Sequence, residues 1–266
     1  MTLVFGAYVP NAPFLISPPE FHGVGESAAQ RLRGLDVLGR YRPDTIVVSS
    51  PHWVTGPEFR VNTSARPRQI YDFSGFPPAL SQIRYEPEGD PALARRLVEA
   101  GRAAGLSVSA TEEWGLDHGA WAPLLHVSPG ARVPVVPLSI QAGDPALHLR
   151  WGEAIRPALE ETGQRVVFLA TGSIVHNFAR IGPDPNARWL EGEAIEREIL
   201  ARVAALDREG LVHFDRRKWV LVQPEGNLGP LFTLLGALDR RFRADVVPLE
   251  TVFGGVSLSI VAFLAI

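Results

Sequence analysis

Three short runs of aliphatic residues constrain this chain most: residues 45–50 (TIVVSS), 133–140 (VPVVPLSI) and 165–171 (RVVFLAT). A half-buried strand alternates apolar and polar positions, whereas these runs are continuous, so they predict strands covered on both faces by helices. Residues 3–9 add another strand, and Ser257 and Ser259, alternating within the apolar stretch 256–266, predict a half-buried final one. That last stretch is far shorter than the ~20 residues needed to cross a bilayer. Helix signals fall between the strands. Asp90-Pro91 opens ALARRLVEAGRAAG with a capping residue, proline at the first position and Gly105 as terminator. Asp144-Pro145 opens a second helix through Glu161, residues 186–207 form a third, and a fourth begins near Asn227 in LGPLFTLLGALDRR. The predicted class is α/β, with a central mostly parallel or mixed sheet, helices on both faces and a crevice at the strand carboxyl ends.

Composition narrows the function. With 266 residues, 46% hydrophobic and 21% charged, and no repeat or low-complexity linker, the chain reads as one domain over 1–266. Its 26 basic and 29 acidic residues leave a net charge of -3, which gives no electrostatic reason to expect nucleic acid or an anionic membrane as partner. The opening MTLVFGAYVP lacks a basic region and is interrupted by Pro10 and Asn11, so a secretory signal is not expected and a cytoplasmic location is. No cysteine is present, which excludes disulfides, thiolate metal sites and a cysteine nucleophile. Any metal must be held by nitrogen and oxygen. The long irregular segment 67–88 has the length of a functional loop.

Of seven histidines, three stand in informative places. His52 (SSPHW) and His176 (ATGSIVHN) follow predicted strands, where parallel sheets line their binding crevices. His118 lies in GLDHGAW, a glycine-flanked stretch that reads as a loop. Each alone is more often structural, because a neutral imidazole readily satisfies backbone groups under a loop. Together they mark one crevice. His22, His126, His148 and His213 carry no such context, and His148 and His213 read as surface residues.

The segments SSPHW (49–53), IYDFSGFP (70–77), GLDHGAWAPL (115–124), GSIVHN (172–177) and GPLFTLLGAL (229–238) occur in that order. This set resembles the class III extradiol ring-cleavage dioxygenases, especially the single-chain type that includes the DOPA dioxygenases, from Pro10 to the C-terminus. The resemblance implies a non-haem metal enzyme, usually Fe(II), that opens a small aromatic diol with O₂. Such a metal is held on one face by two histidines and a carboxylate or third histidine, leaving positions open. By resemblance His52 is a metal ligand, His176 the acid/base and His118 a hydrogen-bonding partner of substrate or oxygen. Asp72, Phe73, Phe76 and Trp53 then line the substrate crevice. Dimers are frequent in this superfamily, so a homodimer or pairing with a related subunit is the expected assembly.

Two ligand positions depart from the family pattern. The usual P-H-x-P histidine corresponds to Asn11 in VPNAPFLI, and the histidine before the last helix falls on Asn227. Glu225, two residues earlier, can take that place only if the backbone is arranged differently. Both asparagines also suit local structure, Asn11 as a turn residue between prolines and Asn227 as a helix cap. Two functions are therefore expected as alternatives. One is an extradiol dioxygenase with an atypical site of His52, Glu225, Asn11 or Asn227 holding Fe(II) or, less fittingly, Zn(II). The other is a metal-free homologue serving as a partner subunit or small-molecule binder. A hydrolase built on Ser173 and His176 ranks last, since no G-x-S-x-G elbow surrounds Ser173.

Overall fold

Strands that are apolar throughout need two separate cores, and the computed structural model, which describes residues 3–247 and 251–266, supplies them. The predicted domain over 1–266 also includes Met1, Thr2 and residues 248–250, which lie outside the described residues. Among the described residues the strands are β1 (Leu3–Val9), β2 (Thr45–Thr55), β3 (Phe59–Asn62), β4 (Val108–Thr111), β5 (Val135–Gln141), β6 (Val166–Thr171), β7 (Phe242–Val247), β8 (Thr251–Val252), β9 (Val256–Ser257) and β10 (Ile260–Ala265). The helices are α1 (Glu26–Gly34), α2 (Val37–Tyr41), α3 (Pro91–Ala103), α4 (His118–Val127), α5 (Pro145–Glu161), α6 (Leu190–Ala204), α7 (Arg208–Val212), α8 (Arg216–Val222) and α9 (Gly229–Ala237).

Eight of these strands form one mixed sheet in the order β4-β3-β5-β2-β6-β1-β10-β7. Its centre is parallel: β2 pairs with β5 and β6, and β6 with β1, in one direction. β10 runs antiparallel to both β1 and β7. Strand β6 shows why the central runs do not alternate. Val166, Phe168 and Ala170 enter a core with Trp151 and Phe232, whereas Val167 and Leu169 enter the opposite core with Trp121 and Phe5. Burying each of these valine, leucine and phenylalanine side chains stabilises the fold by about 1.5–3 kcal/mol relative to exposure. Helices α3, α5, α6 and α9 cover the first face, and α1 and α4 the second. No described helix is long and apolar enough to cross a membrane.

Three expectations are corrected. His118 is not in a loop; it is the first residue of α4, because Asp117 caps that helix by accepting from the Ala120 N–H at 3.0 Å. His52 lies within β2, not after it, in an irregular stretch where the register against β5 shifts between Ser49 and Val54. His148 is buried (1% exposed) with its ring edge-on to Phe59, and its Nε2 accepts from the Gln141 N–H at 3.2 Å. It shares the inward face of α5 with Trp151, Ile155 and Leu159, at helical spacing.

Candidate active site

Strands β2, β6 and β1 are adjacent and parallel, so their carboxyl ends finish at one edge of the sheet. That edge brings together residues far apart in sequence. β1 leads into Asn11, β2 carries His52, and β6 leads into Ser173 and His176. The start of α4 adds His118, the irregular segment after residue 67 adds Asp72, and the turn before α9 adds Glu225.

His52 is the hub. Its Nδ1 is 2.8 Å from Asp72 Oδ2 and its Nε2 is 3.0 Å from Glu225 Oε1. Asp72 uses its other oxygen twice, accepting from His118 Nδ1 at 2.8 Å and from the His118 backbone N–H at 2.7 Å. Glu225 Oε1 also accepts from Asn11 Nδ2 at 3.1 Å and lies 4.0 Å from His176 Nε2, while Oε2 accepts from the Ser173 N–H at 3.1 Å. Charge follows geometry. Burial by itself lowers the pKa of His52, but the hydrogen bonds to Asp72 and Glu225 outweigh it and push the value up to about 10. Burial likewise works against the two carboxylates, yet their histidine partners hold Asp72 well below the usual carboxylate range and Glu225 down at about 2. The centre is thus an imidazole clamped between two anions.

A backbone feature selects Glu225 over Asn227. Gly226, Asn227 and Leu228 all have positive φ, at 53°, 52° and 56°. Three consecutive left-handed residues reverse the chain sharply. Glu225 is aimed into the crevice, pinned by its own N–H to Ser173 O at 3.0 Å, and Asn227 is aimed out, accepting from Trp219 Nε1 at 3.2 Å. Only glycine suits position 226, since a Cβ there would lie 2.7 Å from Ile140 Cδ1 and 2.9 Å from Pro51 Cβ. Asn227, at the position of the family's histidine before the last helix, therefore does not join the cluster, whereas Asn11 does. A cavity of about 720 Å³ opens behind this turn, lined by Asn227, Trp219, His213 and Arg216, but it holds none of the converging titratable groups.

Of the predicted wall, Phe73 stands edge-on to His118 at 5.3 Å and Phe76 edge-on to Phe73 at 5.8 Å. Trp53 goes elsewhere. It is buried and stacks on Trp114, whose indole N–H donates to Asp117 at 3.0 Å. Asp72 was expected on the wall and instead ties His52 to His118. Sequence reasoning did not single out Asp117, Ser50 or the aromatic neighbours Phe21 and Phe178. Asp117 also accepts from Ser50 Oγ at 2.6 Å, Phe21 lies edge-on to Phe76 at 5.9 Å, and Phe178 lies against His176 at 4.5 Å. Asp117 carried a readable signal, a capping residue just before a helix; the others lie in segments without periodicity.

The donor set fits a divalent cation. All donors are nitrogen or oxygen, as the absence of cysteine requires. His52 is flanked by two carboxylates, so positive charge is favoured at its Nε2, whether carried by a proton or by a metal ion. With Nδ1–H committed to Asp72, Nε2 is the nitrogen that would ligate, the metal taking the place of the proton it shares with Glu225 Oε1 at 3.0 Å; a carboxylate at Nδ1 is the arrangement that orients a metal-binding imidazole. His52, Asp72 and His118 also offer donor atoms that all lie within 4.8 Å of one another.

Fold and site together define an α/β protein with a histidine–carboxylate centre at the carboxyl ends of parallel strands. Residues 19–263 match the family described as the catalytic LigB subunit of aromatic ring-opening dioxygenase, and the chain belongs to that family, within the class III extradiol dioxygenase superfamily. It is similar to a 4,5-DOPA dioxygenase extradiol of Escherichia coli K12, 41% identical over 142 residues, which are 53% of this chain and only 50% of that relative. A 4,5-DOPA dioxygenase extradiol of Beta vulgaris is 31% identical over 211 residues, 77% of each chain. The crystal structure of an uncharacterized Escherichia coli K12 protein, JW3007, shares the fold with a TM-score of 0.74 at 22% identity, over 97% of this chain and 99% of that one.

Proposed function

We propose that this protein is an extradiol ring-opening dioxygenase that cleaves a catechol-like aromatic diol with O₂, using a non-haem metal, Fe(II), that would be held by His52 Nε2, Glu225 and Asn11, the last through Oδ1 once its amide turns over from the Nδ2–H bond to Glu225. The observation that carries the reading is the clamp on His52, which holds Nδ1 against Asp72 and sets a carboxylate at its other nitrogen. The bound metal would supply Lewis-acid and redox chemistry, and open positions for both diol oxygens and O₂.

The remaining roles follow from which atoms stay uncommitted. His118 spends Nδ1–H on Asp72, leaving Nε2 as an acceptor for a substrate hydroxyl. His176 is half-buried, with Nε2 4.0 Å from Glu225, and serves as the base that takes a diol proton and returns it to the product. Phe73 and Phe76 present edges to an aromatic ring. Both oxygen atoms of O₂ end in the ring-opened product, so no external reductant is needed. The names of the relatives favour a catechol bearing an amino-acid side chain.

Oxygen uptake by Fe(II)-loaded protein with a panel of catechols tests this reading. One O₂ consumed per catechol, with kcat falling roughly 10²–10⁴-fold in His176→Ala, is the expected result. The two asparagines at family ligand positions favour a second reading, a metal-free homologue acting as binder or partner subunit. Loaded protein that consumes no O₂ with any catechol, and retains no metal, would establish that reading instead.

A further inference from the structure

Behind Glu225 lies a polar group to which the ring-opening chemistry gives no role. Tyr8, near the end of β1, is 1% exposed, and its Oη has no hydrogen-bond partner among the described residues. A buried hydroxyl left in that condition costs about 1–3 kcal/mol, and native proteins keep few of them. Its surroundings indicate what satisfies it. A Cβ placed on Gly172 would sit 3.1 Å from Tyr8 Oη, 3.6 Å from Glu225 Oε2 and 3.7 Å from Pro51 Cγ. Gly172 has φ 143°, a conformation L side chains rarely adopt, so this spot stays clear of side-chain atoms. The side of Gly172 that carries no Cβ therefore faces both the phenol and the far oxygen of the carboxylate. Two polar partners are what a buried water requires as a minimum.

We propose that Tyr8 is a positioning residue for Glu225, its hydroxyl donating through one ordered water held over Gly172 to Glu225 Oε2. That oxygen already accepts from the Ser173 N–H at 3.1 Å. With the water added, Oε2 is fully occupied on the side away from the histidines, and Oε1 is the oxygen presented to His52 and His176. The direction of the bonds is set because an ionised carboxylate only accepts, so the water donates to Oε2 and accepts from the Tyr8 hydroxyl. The inference rests on Glu225 as a metal ligand.

Tyr8→Phe removes only the hydroxyl, and the test compares it with Glu225→Ala. Fe(II) affinity is measured anaerobically by competition with a chromogenic chelator, alongside the melting temperature of each metal-free protein. Glu225→Ala is expected to abolish tight binding. Tyr8→Phe is expected to weaken it roughly tenfold, the low end for a group that orients a ligand, with the metal-free melting temperature close to that of the wild type. If Glu225→Ala loses the metal while Tyr8→Phe binds like the wild type, the proposal fails and the ligand assignment stands. Full retention in Glu225→Ala overturns both. A lowered metal-free melting temperature with unaltered affinity identifies Tyr8 as core packing and also overturns it. A high-resolution crystal structure supplies an independent check, since solvent between Tyr8 Oη and Glu225 Oε2 is required.

Discussion

Replacing Asp72 by asparagine perturbs the centre without touching a proposed ligand. Asp72 accepts three hydrogen bonds, from His52 Nδ1 at 2.8 Å, His118 Nδ1 at 2.8 Å and the His118 N–H at 2.7 Å. Asparagine keeps one oxygen and turns an NH₂ toward one of the imidazoles. If the oxygen stays with His118, the amide faces His52 Nδ1–H, donor against donor. His52 must then give up that bond or move its proton to Nε2, which blocks the lone pair a metal needs. One charge-assisted bond is lost, worth roughly 1.5–3 kcal/mol, and a buried donor goes unpaired, so a net cost of about 3 kcal/mol is expected. For a chain of this size that lowers the melting temperature by roughly 6–12 °C. Fe(II) affinity should fall roughly 10–100-fold, as for other groups that orient metal-binding imidazoles. Thermal melts of the metal-free protein and chelator competition read the two effects separately. An Asp72→Asn protein that melts and binds Fe(II) like the wild type would refute the clamp.

Asn11→His restores an imidazole beside Glu225 and should tighten Fe(II) binding roughly tenfold or more in the same competition assay; unchanged affinity would remove Asn11 from the metal site. Gly226→Ala forces a side chain to φ 53° with Cβ 2.7 Å from Ile140, and should lower the stability read from denaturant unfolding by about 1–3 kcal/mol; an unmoved midpoint would contradict the left-handed turn after Glu225. Glu196 is buried at 2% exposure, and burial, against hydrogen bonds from Ser257 and Ser259, raises its pKa from 4.5 to about 7. Its neutral form belongs to the native state, so the stability it permits is fully present below pH 4.5 and lost as pH rises through about 7, a change of roughly 3 kcal/mol. Glu196→Gln should lack that decline, and a wild-type-minus-variant difference constant from pH 4 to 8 would refute it.

The centre of the sheet was legible because its strands are apolar without interruption, a pattern that neither a half-exposed strand nor a surface helix produces, whereas β3, β4 and β7 mix polar and apolar residues and were not read. The helices at Pro91 and Pro145 announced themselves through aspartate caps followed by proline, and both caps accept from their helix's first turn. His52, His118 and His176 could be grouped because strand carboxyl ends and family motifs converge on them. What stayed hidden depends on backbone direction. Nothing local in QPEGNLGP says that 226, 227 and 228 all turn left-handed, and that choice decides whether Glu225 or Asn227 enters the crevice. Asp72 was read as a wall residue because its link to two histidines joins segments 20 and 46 positions away. His148 misled for a related reason, since its charged neighbours suggested a surface while the face of α5 it occupies is buried.

The proposed chemistry depends on one ion bound through His52 and Glu225. Anaerobic Fe(II) titration of the wild type, Glu225→Ala and His118→Ala addresses that directly. One ion per chain in the wild type, retained in His118→Ala and absent in Glu225→Ala, is the predicted result. No ion in the wild type, or an ion that survives loss of Glu225 but not of His118, would contradict it.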